Sequence, residues 1–169
     1  LSAITNEEVL TYLDKVKQYE ALLRNPTASA AERDWKKEMI HLVGGDDVFL
    51  ANIITNFFNR YRLSVADTSI AAKVYTYKRV NNPSFASDMA QIKNRIDNGA
   101  GLITYFGHSS ASGIDFNLSG PEEYKNTNGK YPIFIANGCR AGNIFDFSSY
   151  RLNSKNVSVS ENFIFAKNK

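Results

Sequence analysis

Residues 101–142 read GLITYFGHSSASGIDFNLSGPEEYKNTNGKYPIFIANGCRAG. Two short apolar runs stand out, Leu102 to Phe106 and Tyr131 to Ala136. A short apolar run bounded by turn residues is the pattern of a strand buried in a parallel sheet. Each run ends in a turn of small residues that carries a reactive side chain. The first turn is Gly107-His108-Ser109-Ser110, the second Asn137-Gly138-Cys139-Arg140-Ala141-Gly142. Cys139 is the only cysteine of the chain, and His108 is one of two histidines. Open α/β sheets bind ligands in the crevice outside the carboxyl ends of their strands. Both residues therefore fall where such a sheet places its chemistry.

Outward from this stretch the pattern repeats. Met39 to Val43 is an apolar run ending in Gly44-Gly45-Asp46-Asp47, followed by a helix with Val48, Phe49, Ile53, Ile54, Phe57, Phe58 and Tyr61 apolar. Lys73 to Tyr77 alternates and is rich in β-branched and aromatic residues, as a strand is. Phe85, Met89, Ile92 and Ile96 form an apolar helical stripe, with Ser84 or Ser87 available as cap and Asn98-Gly99 as stop. An N-terminal helix over residues 5–23 starts with capping-box spacing at Thr5 and Glu8, and its mostly apolar stripe (Val9, Leu13, Val16, Glu20, Leu23) is expected to pack on the core. Glu32 to Lys37, with Trp35, makes a short helical approach. Ser109 to Lys130 and Asn143 to Asn156 are long polar loops, and the last helix, capped by Ser158 or Ser160, carries Phe163, Ile164 and Ala166. Strands alternating with helices predict an α/β fold, a mainly parallel sheet with helices on both faces. This rhythm also predicts a further strand after the last helix, so the chain reads as one domain, 1–169, taken from something longer.

Composition bounds the function. At 169 residues with 43% apolar content the chain can bury a core and is not disordered. A net charge of +3, without a basic block, gives no footprint for nucleic acid. No apolar run approaches the ~20 residues of a membrane helix. One cysteine excludes an internal disulfide framework. One cysteine and two histidines give no metal-ligand set at recognisable spacing.

A cysteine nucleophile needs a thiolate, a base that favours it, and donors for an oxyanion. Cys139 has small neighbours that admit a substrate backbone, and His108 is the one histidine at a strand end. His41 lies inside an apolar strand and reads as structural. Taken singly, a cysteine after an apolar strand is a small buried residue and a histidine in a turn is surface; their pairing at two strand ends points to a dyad. Asp46 or Asp47, at the same sheet edge, could orient His108, while either could equally cap the following helix. Asp46, nearer the strand, is the preferred partner. Asp115, Glu122 and Glu123 could meet a basic substrate side chain, or be ordinary loop charge.

The combination LITYFGHSS, KYPIFIANGCRAG and SVSENFIFAKNK resembles the gingipain family of cysteine peptidases. The likeness extends to EEVLTYLDKVKQYE, WKKEMIHLVGGDD and DNGAGLITYFGH. It implies a caspase-like three-layer sandwich, a Cys139–His108 dyad and an acidic residue in the Gly44 to Asp47 turn. It implies an oxyanion hole made by the backbone N–H groups of Ser109 and Cys139. Two positions depart from the family pattern. Ser109 stands where the family commonly has Gly, and a Trp often found a few residues on is missing from Ser112-Gly113-Ile114-Asp115.

The resemblance further implies a protein or peptide substrate and a secreted or bacterial surface location linked to type IX secretion. No cofactor is required, though relatives bind calcium. The expected activity is cysteine endopeptidase. A sortase-like peptidase of a type IX system is a second enzymatic reading. A catalytically silent caspase-like binding or assembly module is the alternative from another class; a Cys139 sealed in apolar surroundings would favour it.

Overall fold

The computed structural model describes residues 2–126, 129–144 and 158–167. One sheet holds four parallel strands, β1 (Glu38–Val43), β2 (Lys73–Lys78), β3 (Leu102–Phe106) and β4 (Ile133–Asn137), in the order β2-β1-β3-β4. The helices among the described residues are α1 (Asn6–Arg24), α2 (Ala30–Arg33), α3 (Val48–Ala66), α4 (Phe85–Asn98) and α5 (Val159–Phe165).

Chirality explains the layering. The chain leaves β1 in one direction to form β2, then steps back across β1 to form β3. Parallel crossovers are right-handed, so reversing direction moves the connecting helix to the other face. Accordingly α3 packs on one face through Ala51, Ile54 and Phe58 against Val43 and Phe106. The helix α4 packs on the opposite face through Ile92 and Ile96 against Ile40, Leu42, Ile103 and Tyr105. Leu42 and Val43 are neighbours in the strand and face opposite layers, as the two-residue strand period requires. This is the expected α/β fold with helices on both faces.

Local signals set the element ends. Thr5 accepts from the Glu8 N–H and starts α1. Asp47 accepts from the Leu50 N–H and starts α3. Ser158 and Glu161 form a capping box at α5. Ser84 stands at the N-terminus of α4 without a side-chain cap. The first turn is tied instead by Asn82, whose side chain accepts from the Ser84 N–H and donates to Asp88. The strand expected over 131–136 begins two residues later, at Ile133. Pro132 has no N–H to give a ladder, so pairing starts after it.

The α1 stripe is only partly covered, with Val16 half-buried. No residue of α1 is buried, and Val9, Leu13 and Leu23 are exposed. The helix stands off the sheet, leaving a cavity of about 670 Å³ lined by Tyr19, Ile96, Ile103, Phe134 and Phe163 among others. Polar ties span the gap. Lys15 Nζ donates to the carbonyls of Phe163 and Ile164, and Tyr131 Oη donates to Gln18 Oε1. Burial lowers the Lys15 pKa to about 8.

His41 is structural, as its place inside a strand suggests. It is buried, its Nδ1 lies 2.5 Å from Thr104 Oγ1, and its ring stacks on Phe58 at 4.5 Å. Its Nε2 has no hydrogen-bond partner among the described residues. Burial lowers its pKa from 6.5 to about 4, so the folded state holds a neutral ring. Above pH 6.5 both states are neutral and the native state keeps its full advantage. As pH falls from 6.5 towards 4, the unfolded chain takes up a proton that the folded chain refuses, and stability is lost. The loss amounts to about 3 kcal/mol by pH 4. Urea unfolding at pH 7 and pH 4 should show this drop in the wild type and not in His41→Leu.

Candidate active site

The strand order creates a switch point. After β1 the chain turns towards β2, and after β3 it turns the other way, towards β4. A crevice therefore opens between the carboxyl ends of β1 and β3, the place where such sheets bind ligands. The turn after β1 supplies one wall and the turn after β3 the other. The ladder continues past both strands: Gly44 N–H donates to Phe106 O at 2.8 Å, and Gly107 N–H to Asn137 O at 3.3 Å. Glycine is required at this seam. A Cβ on Gly107 would stand 2.6 Å from Gly44 Cα, and one on Gly44 would stand 2.9 Å from Gly107 Cα. Gly45 then turns the chain at φ +108°, a conformation L side chains disfavour.

The two aspartates after Gly45 have different tasks. Asp47 caps α3. Asp46, one residue earlier, points across the crevice, with Oδ1 3.5 Å from His108 Nε2. Both side chains are well exposed, at 60% for His108 and 75% for Asp46, so solvent screens the attraction.

Cys139 sits in the next turn, after β4, and its thiol is exposed. Ser109 joins the two reactive turns: its Oγ donates to the Cys139 carbonyl at 2.6 Å. Gly138 makes room for that side chain, since a Cβ there would stand 2.4 Å from Ser109 Oγ. Arg140 follows at φ +60°, a left-handed residue that reverses the chain directly after the cysteine. The backbone N–H groups of Ser109 and Cys139 donate no hydrogen bond among the described residues. Nor does the Cys139 thiol bond to the His108 ring there. Such catalytic bonds are often long without substrate and tighten in the complex.

Asp115 has a different setting from a substrate contact. Its Oδ2 accepts from the Gly45 N–H at 2.8 Å, its Oδ1 meets Tyr105 Oη, and Arg79 stands 3.6 Å from Oδ2. Its side chain is 15% exposed. Glu122 and Glu123 lie in a 3-10 turn, Pro121–Glu123, with the Glu122 carboxylate folded over Gly120. No contact joins either to His108 or Cys139 among the described residues. Residues 145–156 of the second polar loop lie outside the described residues. Among the described residues no group of three or more His, Cys, Asp or Glu could hold a metal ion.

Two residues of this site escape a reading of the sequence. Tyr105, inside an apolar strand, reads as core, yet its hydroxyl reaches both the Asp115 carboxylate and the His108 carbonyl. Burial, then the bond to Asp115, raises its pKa. Arg79 follows β2 and reads as surface, yet its guanidinium donates to the Asp115 carbonyl at 2.7 Å. The signal available was position: each lies in or just after a strand, towards the carboxyl edge of the sheet.

The sequence model of Peptidase family C25 matches residues 1–169. No curated protein sequence matches the chain. The crystal structure of the Arg-specific cysteine proteinase gingipain R aligns with a TM-score of 0.62 and 18% identity, over 98% of this chain and 35% of that one. A complex of the pro- and mature domains of the Porphyromonas gingivalis enzyme gives 0.61 and 19%, over 98% and 36%. A solved protease structure gives 0.71 and 16%, over 99% and 33%. Identities this low carry the fold, and the chain spans about a third of the length of these proteins. No helix among the described residues is long and apolar enough to cross a membrane.

Proposed function

Because the chain belongs to peptidase family C25, we propose that it is a cysteine endopeptidase domain acting on protein or peptide substrates. The observation that carries this reading is the meeting of three turns at the switch point. Asp46 faces His108 across the crevice, and Ser109 ties the histidine turn to the turn bearing an exposed Cys139. An exposed thiol also counts against the silent module, for which a sealed cysteine was the expected mark.

The steps follow from these groups. His108 takes the thiol proton, and the Cys139 sulfur attacks the scissile carbonyl carbon. The carbonyl oxygen gains the charge and is met by the Ser109 and Cys139 N–H groups, neither of which has another acceptor among the described residues. The carbon–nitrogen bond breaks as His108 returns the proton to the leaving amine. Water, deprotonated by His108, then cleaves the thioester and frees the thiol. Asp46 orients the His108 ring through Nε2. Secretion to the bacterial surface is the location we infer from the family.

Alkylation of Cys139 by iodoacetamide tests the dyad without a known substrate. At pH 6 a free cysteine is almost wholly protonated, whereas at pH 9 most of it is thiolate. The wild type should react about tenfold faster than His108→Ala at pH 6 and at a similar rate at pH 9. Equal rates at both pH values would remove His108 from the chemistry.

A further inference from the structure

The Asp46–His108 pair needs two separate turns held at a fixed spacing; the ladder holds them up to Gly44 and Gly107, but Asp46 and His108 lie beyond those bonds. The group that joins them is Asp115. One carboxylate oxygen receives the Gly45 N–H at 2.8 Å, which pins the β1 turn one residue before Asp46. The other meets Tyr105 Oη, which also reaches the His108 carbonyl. The Asp115 N–H donates to that same His108 carbonyl at 3.0 Å. Arg79 then closes the knot from β2, donating to the Asp115 carbonyl at 2.7 Å with its guanidinium 3.6 Å from Oδ2. One residue thus fixes the backbone at Gly45 and at His108, from opposite sides of the crevice.

We infer that Asp115 is a positioning residue: it sets the distance between Asp46 and His108 by bonding both turns at once, with Tyr105 and Arg79 holding its carboxylate and backbone. This inference rests on the Cys139–His108 reading given above. It also removes Asp115 from the substrate contacts, since its oxygens face the Gly45 amide, the Tyr105 hydroxyl and the Arg79 guanidinium. Geometry matters here because a displacement of about 1 Å at a catalytic group can lower a rate by as much as ~100-fold.

The test uses the same iodoacetamide rates at pH 6 and pH 9, together with thermal melting. Asp115→Ala should lower the pH 6 rate about tenfold and leave the pH 9 rate unchanged. Asp115→Asn keeps an acceptor for Gly45 and a polar partner for Tyr105, so it should recover most of that rate. A role in stability alone would move the melting temperature and leave the pH 6 to pH 9 ratio at its wild-type value. A folded Asp115→Ala with the wild-type ratio overturns the inference, as does an Asp115→Asn variant as slow as Asp115→Ala. If Asp115→Ala fails to fold, Tyr105→Phe decides, because it removes only the hydroxyl of the knot; a wild-type ratio there overturns the inference. His108→Ala separates the two ideas: if it leaves the wild-type ratio unchanged, the dyad reading fails, whatever Asp115 does.

Discussion

Cys139→Ala is expected to abolish peptide hydrolysis, lowering kcat/KM by at least about 10⁴-fold. No other thiol exists in these residues to substitute as the nucleophile, because Cys139 is the single cysteine of the chain. Residual turnover would come from substrate binding and the oxyanion donors alone. The thiol is exposed, so its removal opens no cavity and should change stability by less than about 0.5 kcal/mol. A fluorogenic peptide library assayed beside a urea-unfolding curve separates chemistry from folding. Hydrolysis at the wild-type rate by a folded Cys139→Ala protein would end the cysteine peptidase reading.

Gly107→Ala should cost about 3 kcal/mol of stability, the upper end of the range for overpacking. The added methyl would stand 2.6 Å from Gly44 Cα, 2.6 Å from Tyr105 Oη and 3.0 Å from Asp115 Oδ1. The first neighbour is backbone at a sheet seam, and Tyr105 is buried on a core strand. Neither can rotate away as a surface side chain would. Relief requires the β1 and β3 turns to part, which separates Asp46 from His108. The urea midpoint should therefore fall with little change in slope, and the pH 6 alkylation rate should fall with it. Gly113→Ala is the control. A Cβ there meets nothing within 4 Å, so that variant should be close to neutral. Equal midpoints for Gly107→Ala and the wild type would show that the seam yields without effort.

Much of this was legible before any coordinates. The strands at Met39 and Leu102 announce themselves because parallel strands are buried on both faces and carry few polar residues. Small residues after each strand mark the chemical edge of the sheet, and His108 and Cys139 stand out there as the reactive side chains. The limits are equally physical. Capping preference cannot separate Asp46 from Asp47, since both lie within reach of the α3 N-terminus. The backbone turn at Gly45 decides, directing Asp47 to the helix and Asp46 to the crevice. Asp115 reads as loop charge because its partners, Gly45, Arg79 and Tyr105, come from three other segments. The α1 stripe shows that an apolar period predicts a helix better than it predicts burial. Val9 and Leu13 keep the period, yet both are exposed.

The solitary, exposed thiol has a consequence under oxidative conditions. Peroxide attacks thiolates that are both ionised and accessible, giving a sulfenic acid. Many redox-active proteins rescue that species with a neighbouring cysteine, which forms a disulfide and halts further damage. Cys139 has no such neighbour anywhere in the 169 residues. Within these residues its sulfenic acid has no resolving thiol, and prolonged exposure to peroxide would drive it on to the irreversible sulfinic state. The open turn that would let a substrate carbonyl reach the Cys139 sulfur leaves that sulfur equally open to oxidants.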